Sequence, residues 1–380
     1  MKVMQIPPTK PYFPAADVQR IKSDVEKIIK SGMLTLGEYT KRFETEFSKL
    51  CNTKYVIAVN SGTSALEIAL RSIGLKHGDE VLVPTNTFGA SAASVIFAGG
   101  KPVLTDIDAD SLCIDAANVQ KRLTDKTRAV MAVHIGGLVC PGIKALKELC
   151  QDHHLALIED AAHAQGSAAD KQMAGSFGDA GCFSFYPTKV ITTGEGGMIT
   201  TDNAEILRKA VILRDQGKES FSSNVIVELG YNWRMGEINA AIGLTQLKRL
   251  PGFIKQRNKI ARYYDQKLSK IRELKPVKTP PKFVNNYYKY TALLSSEISR
   301  DDLKQKLREK GVRPGGEVYW PPLHMEPIYQ RLLGVKEGDF PVAEDVCPRM
   351  ICLPMYSQMT MGEAKYVIEI VNEVLERLSR

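Results

Sequence analysis

Apolar and polar positions follow two rhythms along the chain. From Pro14 to Ser31, the residues Val18, Ile21, Val25, Ile28 and Ile29 recur at helical spacing, with Asp17 near the expected cap and Gly32 at the expected end. A loop, MLTLGEYT, precedes a second helical stretch, and YVIAVN is a short apolar run of the kind that forms a buried strand. The two patterns then alternate. ALEIALRSIGL is helical, EVLVPT strand-like, ASAASVIFAGG helical and KPVLTDID strand-like; AVMAVHI, helical IKALKELCQDH and strand-like LALIED follow. Strands separated by helices predict right-handed crossovers and a mostly parallel sheet with helices on both faces, so the large domain reads as α/β.

After Met235 the pattern changes. IGLTQLKRLPGFIKQRNKIARYYDQKL predicts long helical text bent or broken at Pro251, and this places a domain boundary there, with residues 1–248 in the large domain and 249–380 in a smaller one. Beyond Pro280, strand-like YYKYTALL, helical DDLKQKLREKG and a terminal helix EAKYVIEIVNEVLERL predict a small α+β C-terminal domain. A length of 380 residues favours two cores over one.

Composition changes this picture little. Hydrophobic residues at 44% and charged residues at 25% are ordinary for a globular enzyme. The net charge of +8 is spread among acidic residues instead of gathered in runs, which argues against nucleic acid as a partner and leaves small phosphate-bearing substrates open. Seven cysteines without a CxxC pair read as reduced core thiols. The opening MKVMQIPPTKPYF has no basic segment leading into an apolar one, and no apolar run is long enough to span a membrane, so a cytoplasmic enzyme is expected.

In open α/β sheets ligands sit beyond the carboxyl ends of strands, and four such places carry chemistry. YVIAVN is followed by Ser61-Gly62-Thr63-Ser64 and then helical text, which aims backbone N–H groups and the Thr63 and Ser64 hydroxyls at an anion; ordinary N-capping explains the same text. EVLVPT leads to Phe88, a ring that can stack on a flat heteroaromatic ligand or simply fill the core. LALI runs into Glu159-Asp160-Ala161-Ala162-His163, where Asp160 can keep a pyridine nitrogen protonated and His163 can lie beside the ring or be a satisfied core histidine. Finally, Cys182-Phe183-Ser184-Phe185-Tyr186-Pro187-Thr188-Lys189 precedes Gly194-Glu195-Gly196-Gly197, a setting in which the Lys189 amine can be desolvated and form a Schiff base. Together these are the parts of a pyridoxal 5′-phosphate (PLP) site.

At these residues the chain resembles the DegT/DnrJ/EryC1/StrS family of PLP-dependent sugar aminotransferases, within the aspartate aminotransferase-like fold, fold type I of the PLP transferases. The resembling text runs from Leu34-Thr35-Leu36-Gly37 through NSGTSALEIAL, TFGASAASVIFAGGKPVLTDID, EDAAHAQG and SFYPTKVITTGEGGM to GYNWRMGEINAAIG. The resemblance implies Lys189 as the imine-forming lysine and Asp160 at the pyridine nitrogen, with Phe88 stacked on the ring and His163 beside it. It also implies phosphate contacts from Gly62, Thr63, Ser64 and Ser184. Asn232 would reach the cofactor of a neighbouring subunit, making a homodimer with shared sites. Thr35, Arg234, Tyr319 and His324 are the expected substrate contacts. The chain departs from the family at Ile135-Gly136-Gly137, and Val318 to His324 matches only loosely.

The implied reaction passes an amino group from a donor amino acid, glutamate in the first instance, through the PLP and pyridoxamine phosphate forms to a keto sugar carried on a nucleotide. The TTGEGGM wording favours a 4-keto-6-deoxy hexose over a 3-keto sugar. Three alternatives stand beside this: a PLP-dependent sugar dehydratase, against which Lys189 argues; a non-catalytic regulator of the same fold; and a metal hydrolase using His134, Asp152, His153, His154 and His163, which lack a recognised ligand spacing, so no metal is expected. A P-loop is excluded because Gly217-Lys218 is followed by Glu219.

Overall fold

The computed structural model describes residues 4–378. Seven strands form the central sheet in the spatial order Tyr55–Val59, Gly197–Thr201, Ala180–Ser184, Ala156–Asp160, Thr127–Val133, Glu80–Pro84 and Lys101–Thr105. Gly197–Thr201 pairs antiparallel with both of its neighbours, and the four other contacts are parallel. The two reversals cancel. Six strands therefore share one direction, and their carboxyl ends lie along one edge of the sheet.

Near-continuous apolar runs form these strands because both faces are covered. Every residue of Glu80–Pro84 is buried, as is every residue of Thr127–Val133 save Arg128. Register aligns the strand ends: Val133 lies opposite Asp160, and Asp160 opposite Cys182. Helix Glu38–Cys51 packs Phe43 and Phe47 against Phe183 and Phe185, with ring centroids 4.9 to 5.6 Å apart, beneath the segment that leads to Lys189. The start of that helix has no capping side chain of its own, since Gly37 stands at the cap. Glu237 supplies the missing acceptor, taking the N–H groups of Gly37, Tyr39 and Thr40 at 2.9, 2.8 and 2.8 Å together with the Thr40 hydroxyl.

A second core surrounds a three-stranded antiparallel sheet of Leu274–Pro276, Tyr290–Leu294 and Met350–Leu353. Leu303 and Leu307 of helix Arg300–Glu309 and Val367, Val371 and Val374 of helix Met361–Leu378 cover it. Helix Glu237–Leu268 joins the two cores, burying Ala240, Ala241 and Leu250 in the first and Ile260, Tyr264 and Leu268 in the second. The expected break at Pro251 does not occur, and the helix is continuous through it. Pro251 and Gly252 are exposed, so the lost N–H bond falls on the solvent side, while both halves are held by burial that outweighs the local cost of about 3 kcal/mol.

Behind the carboxyl edge lies a fully buried histidine–carboxylate hydrogen bond. Glu159 Oε2 accepts from His134 Nε2 and the Gly175 N–H, both at 2.8 Å, and Oε1 accepts from the Phe177 and Gly178 N–H groups at 2.6 and 2.8 Å. His134 Nδ1 accepts the Cys140 N–H at 3.1 Å, so the proton of the ring sits on Nε2 and points at Glu159. Four donors thus converge on one carboxylate and tie the loop Gly175–Gly178 to the strand that ends in Asp160. Glu159→Gln turns one of these oxygens into an NH2 group facing two donors, and the expected loss is about 3 kcal/mol of folding free energy. Urea unfolding of the cofactor-free protein measures it; a loss under about 1 kcal/mol would mean that the donors find other acceptors.

Candidate active site

The carboxyl ends of the strands enclose a cavity of about 440 Å³. Its first wall follows Tyr55–Val59, where Ser61 caps helix Gly62–Ser72. Ser61 Oγ accepts the Ser64 N–H at 3.1 Å and the Ala65 N–H goes to the Ser61 carbonyl, which leaves the N–H groups of Gly62 and Thr63 as the open donors of the helix. A Cβ on Gly62 would come within 2.8 Å of Ser184 Cβ, so the absence of a side chain keeps this backbone close to the neighbouring strand end. The Ser64 expectation needs correction. Its hydroxyl closes the capping box with Ser61 and bonds Asn60 Oδ1 at 2.7 Å, facing inward and away from the cavity. Ser61 borders the cavity in its place.

Phe88 occupies the turn after Glu80–Pro84, and its ring is 60% exposed at the cavity margin, which sets aside the core reading. It lies 5.7 Å from the ring of Tyr319. Asp160 ends its strand on the cavity wall, nearly buried, with Oδ2 accepting from Ser91 Oγ at 2.7 Å and Oδ1 from the Ala162 N–H at 3.2 Å. His163 is buried; its ring lies 4.4 Å from that of Tyr288, Nδ1 accepts the Gly136 N–H at 3.2 Å, and Nε2 is 3.0 Å from Tyr319 Oη. Burial, helped by Lys189 and Lys289, holds the His163 imidazole well below the ordinary histidine range. The ring is therefore neutral near pH 7, and because Nδ1 accepts, its one proton sits on Nε2 and is donated to Tyr319.

The last wall is the segment from Ser184 to Lys189. Lys189 is half-buried, with Nζ 4.7 Å from the centre of the Tyr288 ring, and the Tyr288 hydroxyl is 3.0 Å from Thr188 Oγ1. Burial pulls the Lys189 amine below the ordinary lysine value despite the opposing pull of Tyr288 and Asp160, and Lys289 adds to the lowering. For Tyr288, burial pushes the phenol up, but Lys189 and Lys289 more than offset it and leave the group below its usual value. An amine that readily loses its proton, an anion cradle, an exposed ring and a buried carboxylate thus meet in one space.

Sequence reasoning missed Ser61, Ser91 and Tyr288. Ser91 sat inside helical text and Tyr288 inside strand-like text, where neither local pattern singles out a site residue. Four other expected residues lie elsewhere in this chain. His324, expected at the substrate, is fully buried, with Nδ1 at 2.7 Å from Thr85 Oγ1 and Nε2 at 3.1 Å from Glu344, so a long-range structural contact occupies it. Thr35 Oγ1 donates to the Met235 carbonyl at 2.9 Å, and Arg234 is paired with Asp215. Asn232 is exposed beside them, its carbonyl accepting from Asn60 Nδ2 at 3.2 Å. Thr35, Asn232 and Arg234 lie outside the cavity lining, whereas Tyr319 belongs to it. The metal-hydrolase alternative loses its residues: His134 is committed to Glu159, while His153 and His154 are exposed after helix Ile143–Asp152.

Comparisons with known proteins point to one family. The model of the DegT/DnrJ/EryC1/StrS aminotransferase family matches residues 16–372. The chain is 36% identical to a GDP-perosamine synthase of Caulobacter vibrioides over 346 residues, covering 90% of this chain and 91% of that one. It is 32% identical to a UDP-N-acetyl-3-dehydro-α-D-glucosamine 3-aminotransferase of Acidithiobacillus ferrooxidans over 360 residues, covering 93% and 94%. Among solved structures, the PLP form of Spr1654 from Streptococcus pneumoniae superposes with a TM-score of 0.91 at 27% identity, covering 98% of this chain and 99% of that one.

The lowered Lys189 value has a direct consequence. In the cofactor-free protein, the neutral amine should appear at lower pH at Lys189 than at surface lysines. Competitive acylation across a pH series, read peptide by peptide by mass spectrometry, should give Lys189 the lower midpoint; a midpoint at or above the surface set would contradict the desolvation argument.

Proposed function

Because the chain belongs to the DegT/DnrJ/EryC1/StrS aminotransferase family, whose members are PLP-dependent sugar aminotransferases, we propose that it moves an amino group from L-glutamate to a nucleotide-linked 4-keto-6-deoxy hexose. The observation that carries this reading is the half-buried Lys189 amine facing a cavity shared with Asp160 and with the open N-terminus of helix Gly62–Ser72. Relatives named for GDP- and UDP-linked sugars support a nucleotide carrier. The relative named for a 3-dehydro sugar keeps amination at C3 as the second reading.

The residues fit the cofactor. The Gly62 and Thr63 N–H groups with Ser184 make a cradle for a phosphate, Phe88 offers a ring face, and Asp160 offers a carboxylate at the far wall. Bound there, PLP supplies an aldehyde for covalent capture of an amine and a ring that spreads the charge left when a proton leaves the donor's α-carbon. Lys189 would anchor it, and its free amine would take and return that proton, a task helped by a value already below that of ordinary lysines. Asp160 would supply the carboxylate that keeps the ring nitrogen protonated. His163, neutral, lies against Tyr288 and holds Tyr319 at the cavity wall.

The protein acts as a homodimer in the cytoplasm. An exposed apolar run that includes Ile226 and Leu229, 65% and 84% accessible, flanks Asn232 and Arg234 and supports their placement at the neighbouring subunit's site, with Thr35 close by. The two hydrophobic cores support division into a large domain of residues 1–248 and a small one of 249–380, sharing the helix Glu237–Leu268.

Three outcomes are expected. Asp160→Asn should retain cofactor yet slow the donor half-reaction by about a hundredfold or more, measured by stopped-flow absorbance; a near-wild-type rate rejects the role of Asp160. Lys189→Ala should leave no covalent cofactor after borohydride reduction, with peptide mass analysis of the wild type placing the cofactor mass on Lys189. A screen of 3-keto and 4-keto sugars carrying UDP, dTDP, GDP or CDP against the aminated enzyme, with NMR of the product, should yield a 4-amino sugar; a 3-amino product selects the second reading, and no amino sugar at all rejects both.

A further inference from the structure

Ser91 is the third residue of helix Gly89–Phe97 and fully buried, and its hydroxyl touches two partners. It donates to Asp160 Oδ2 at 2.7 Å and lies 2.7 Å from Thr87 Oγ1. An ionised carboxylate accepts and cannot donate, so the single Ser91 proton points at Asp160. The Thr87 proton must then fill the contact between the two hydroxyls. The chain has one direction, Thr87 to Ser91 to Asp160. Thr87 is 2% exposed at the cavity margin, and the Ser91 N–H bonds the Phe88 carbonyl at 3.0 Å, which fixes the relay to the turn carrying the exposed ring.

Resting on the reading that Asp160 faces the pyridine nitrogen, we infer that Thr87 and Ser91 are positioning residues that hold the Asp160 carboxylate in one orientation. A hydrogen bond to a carboxylate is a strong one, and a second hydroxyl behind the first polarises the donor and strengthens it further. The Ala162 N–H on Oδ1 completes the restraint, so each oxygen has one protein donor and keeps acceptor capacity for the cavity. The Asp160 charge acts on Lys189, Tyr319 and Cys182, and among the described residues none of these three donates a hydrogen bond to it. Ser91 itself is not part of the cavity lining and acts through Asp160.

The test uses the PLP-loaded enzyme and reads both kinetics and the visible absorbance of the bound cofactor across pH. Ser91→Ala should lower kcat of the donor half-reaction about tenfold with KM unchanged within about twofold, and shift the pH transition of the absorbance upward. Thr87→Val, which keeps shape but loses the hydroxyl, should give a smaller loss of about threefold, and Thr87→Ser should restore both kcat and the transition. In the double variant, Ser91→Ala should add little to Asp160→Asn, because its effect passes through the same carboxylate. A wild-type transition and kcat in Ser91→Ala, or a full tenfold loss on top of Asp160→Asn, would overturn the relay while leaving Asp160 in place. If Asp160→Asn alone is near wild type, the Asp160 assignment falls and the relay with it.

Discussion

The common direction of six strands is the constraint from which the site follows. Parallel strands end together, and each end releases its chain into a turn whose backbone groups are no longer paired in the sheet. One reversed strand, Gly197–Thr201, fits between Tyr55–Val59 and Ala180–Ser184 without disturbing this alignment. As a result the helix N-terminus after Val59, the turn at Phe88, the carboxylate of Asp160 and the segment leading to Lys189 open on one space, although about 130 residues of sequence separate the first from the last.

Polar burial around that space is uneven, and the unevenness separates support from chemistry. Glu159 and Glu237 are buried carboxylates with four donors each, so neither has capacity left for a ligand. They fasten a loop and a helix start. Asp160, one residue beyond Glu159 on the opposite face of the strand, has only two donors and borders the cavity. Lys189 has no carboxylate within ion-pair distance among the described residues, and its burial therefore lowers its basicity where a paired lysine would gain basicity.

The parts that were legible in the sequence are local. Strand text running into a turn places the residues that follow it near a strand end whatever the rest of the chain does, and Gly62, Phe88, Asp160 and Lys189, read in this way, do line one cavity. What was misread depends on partners far off in sequence or on the direction of one bond. His324 looked like a substrate contact because its pairing with Thr85 spans 239 positions. Ser64 looked like a phosphate donor, but a capping box turns its hydroxyl inward. Pro251 looked like a bend or break because propensity is local, whereas the two cores that keep the helix continuous through it are not.

The cavity has two chemically different sides, and their origins differ too. The α/β sheet contributes the charged and reactive groups, while Tyr288 and Tyr319 come from the C-terminal part of the chain and present neutral phenol surface. Tyr319 Oη already receives the Nε2 proton of His163, so its own proton remains available for an acceptor inside the cavity. Burial drives the Tyr319 phenol well above its usual value, which keeps that proton in place through the working range of an enzyme. A neutral donor that cannot ionise suits a sugar hydroxyl or carbonyl better than a carboxylate, which a cation would hold more strongly. In the proposed reaction the sheet side would serve bond making and breaking, and the tyrosine side recognition of the polyhydroxylated acceptor.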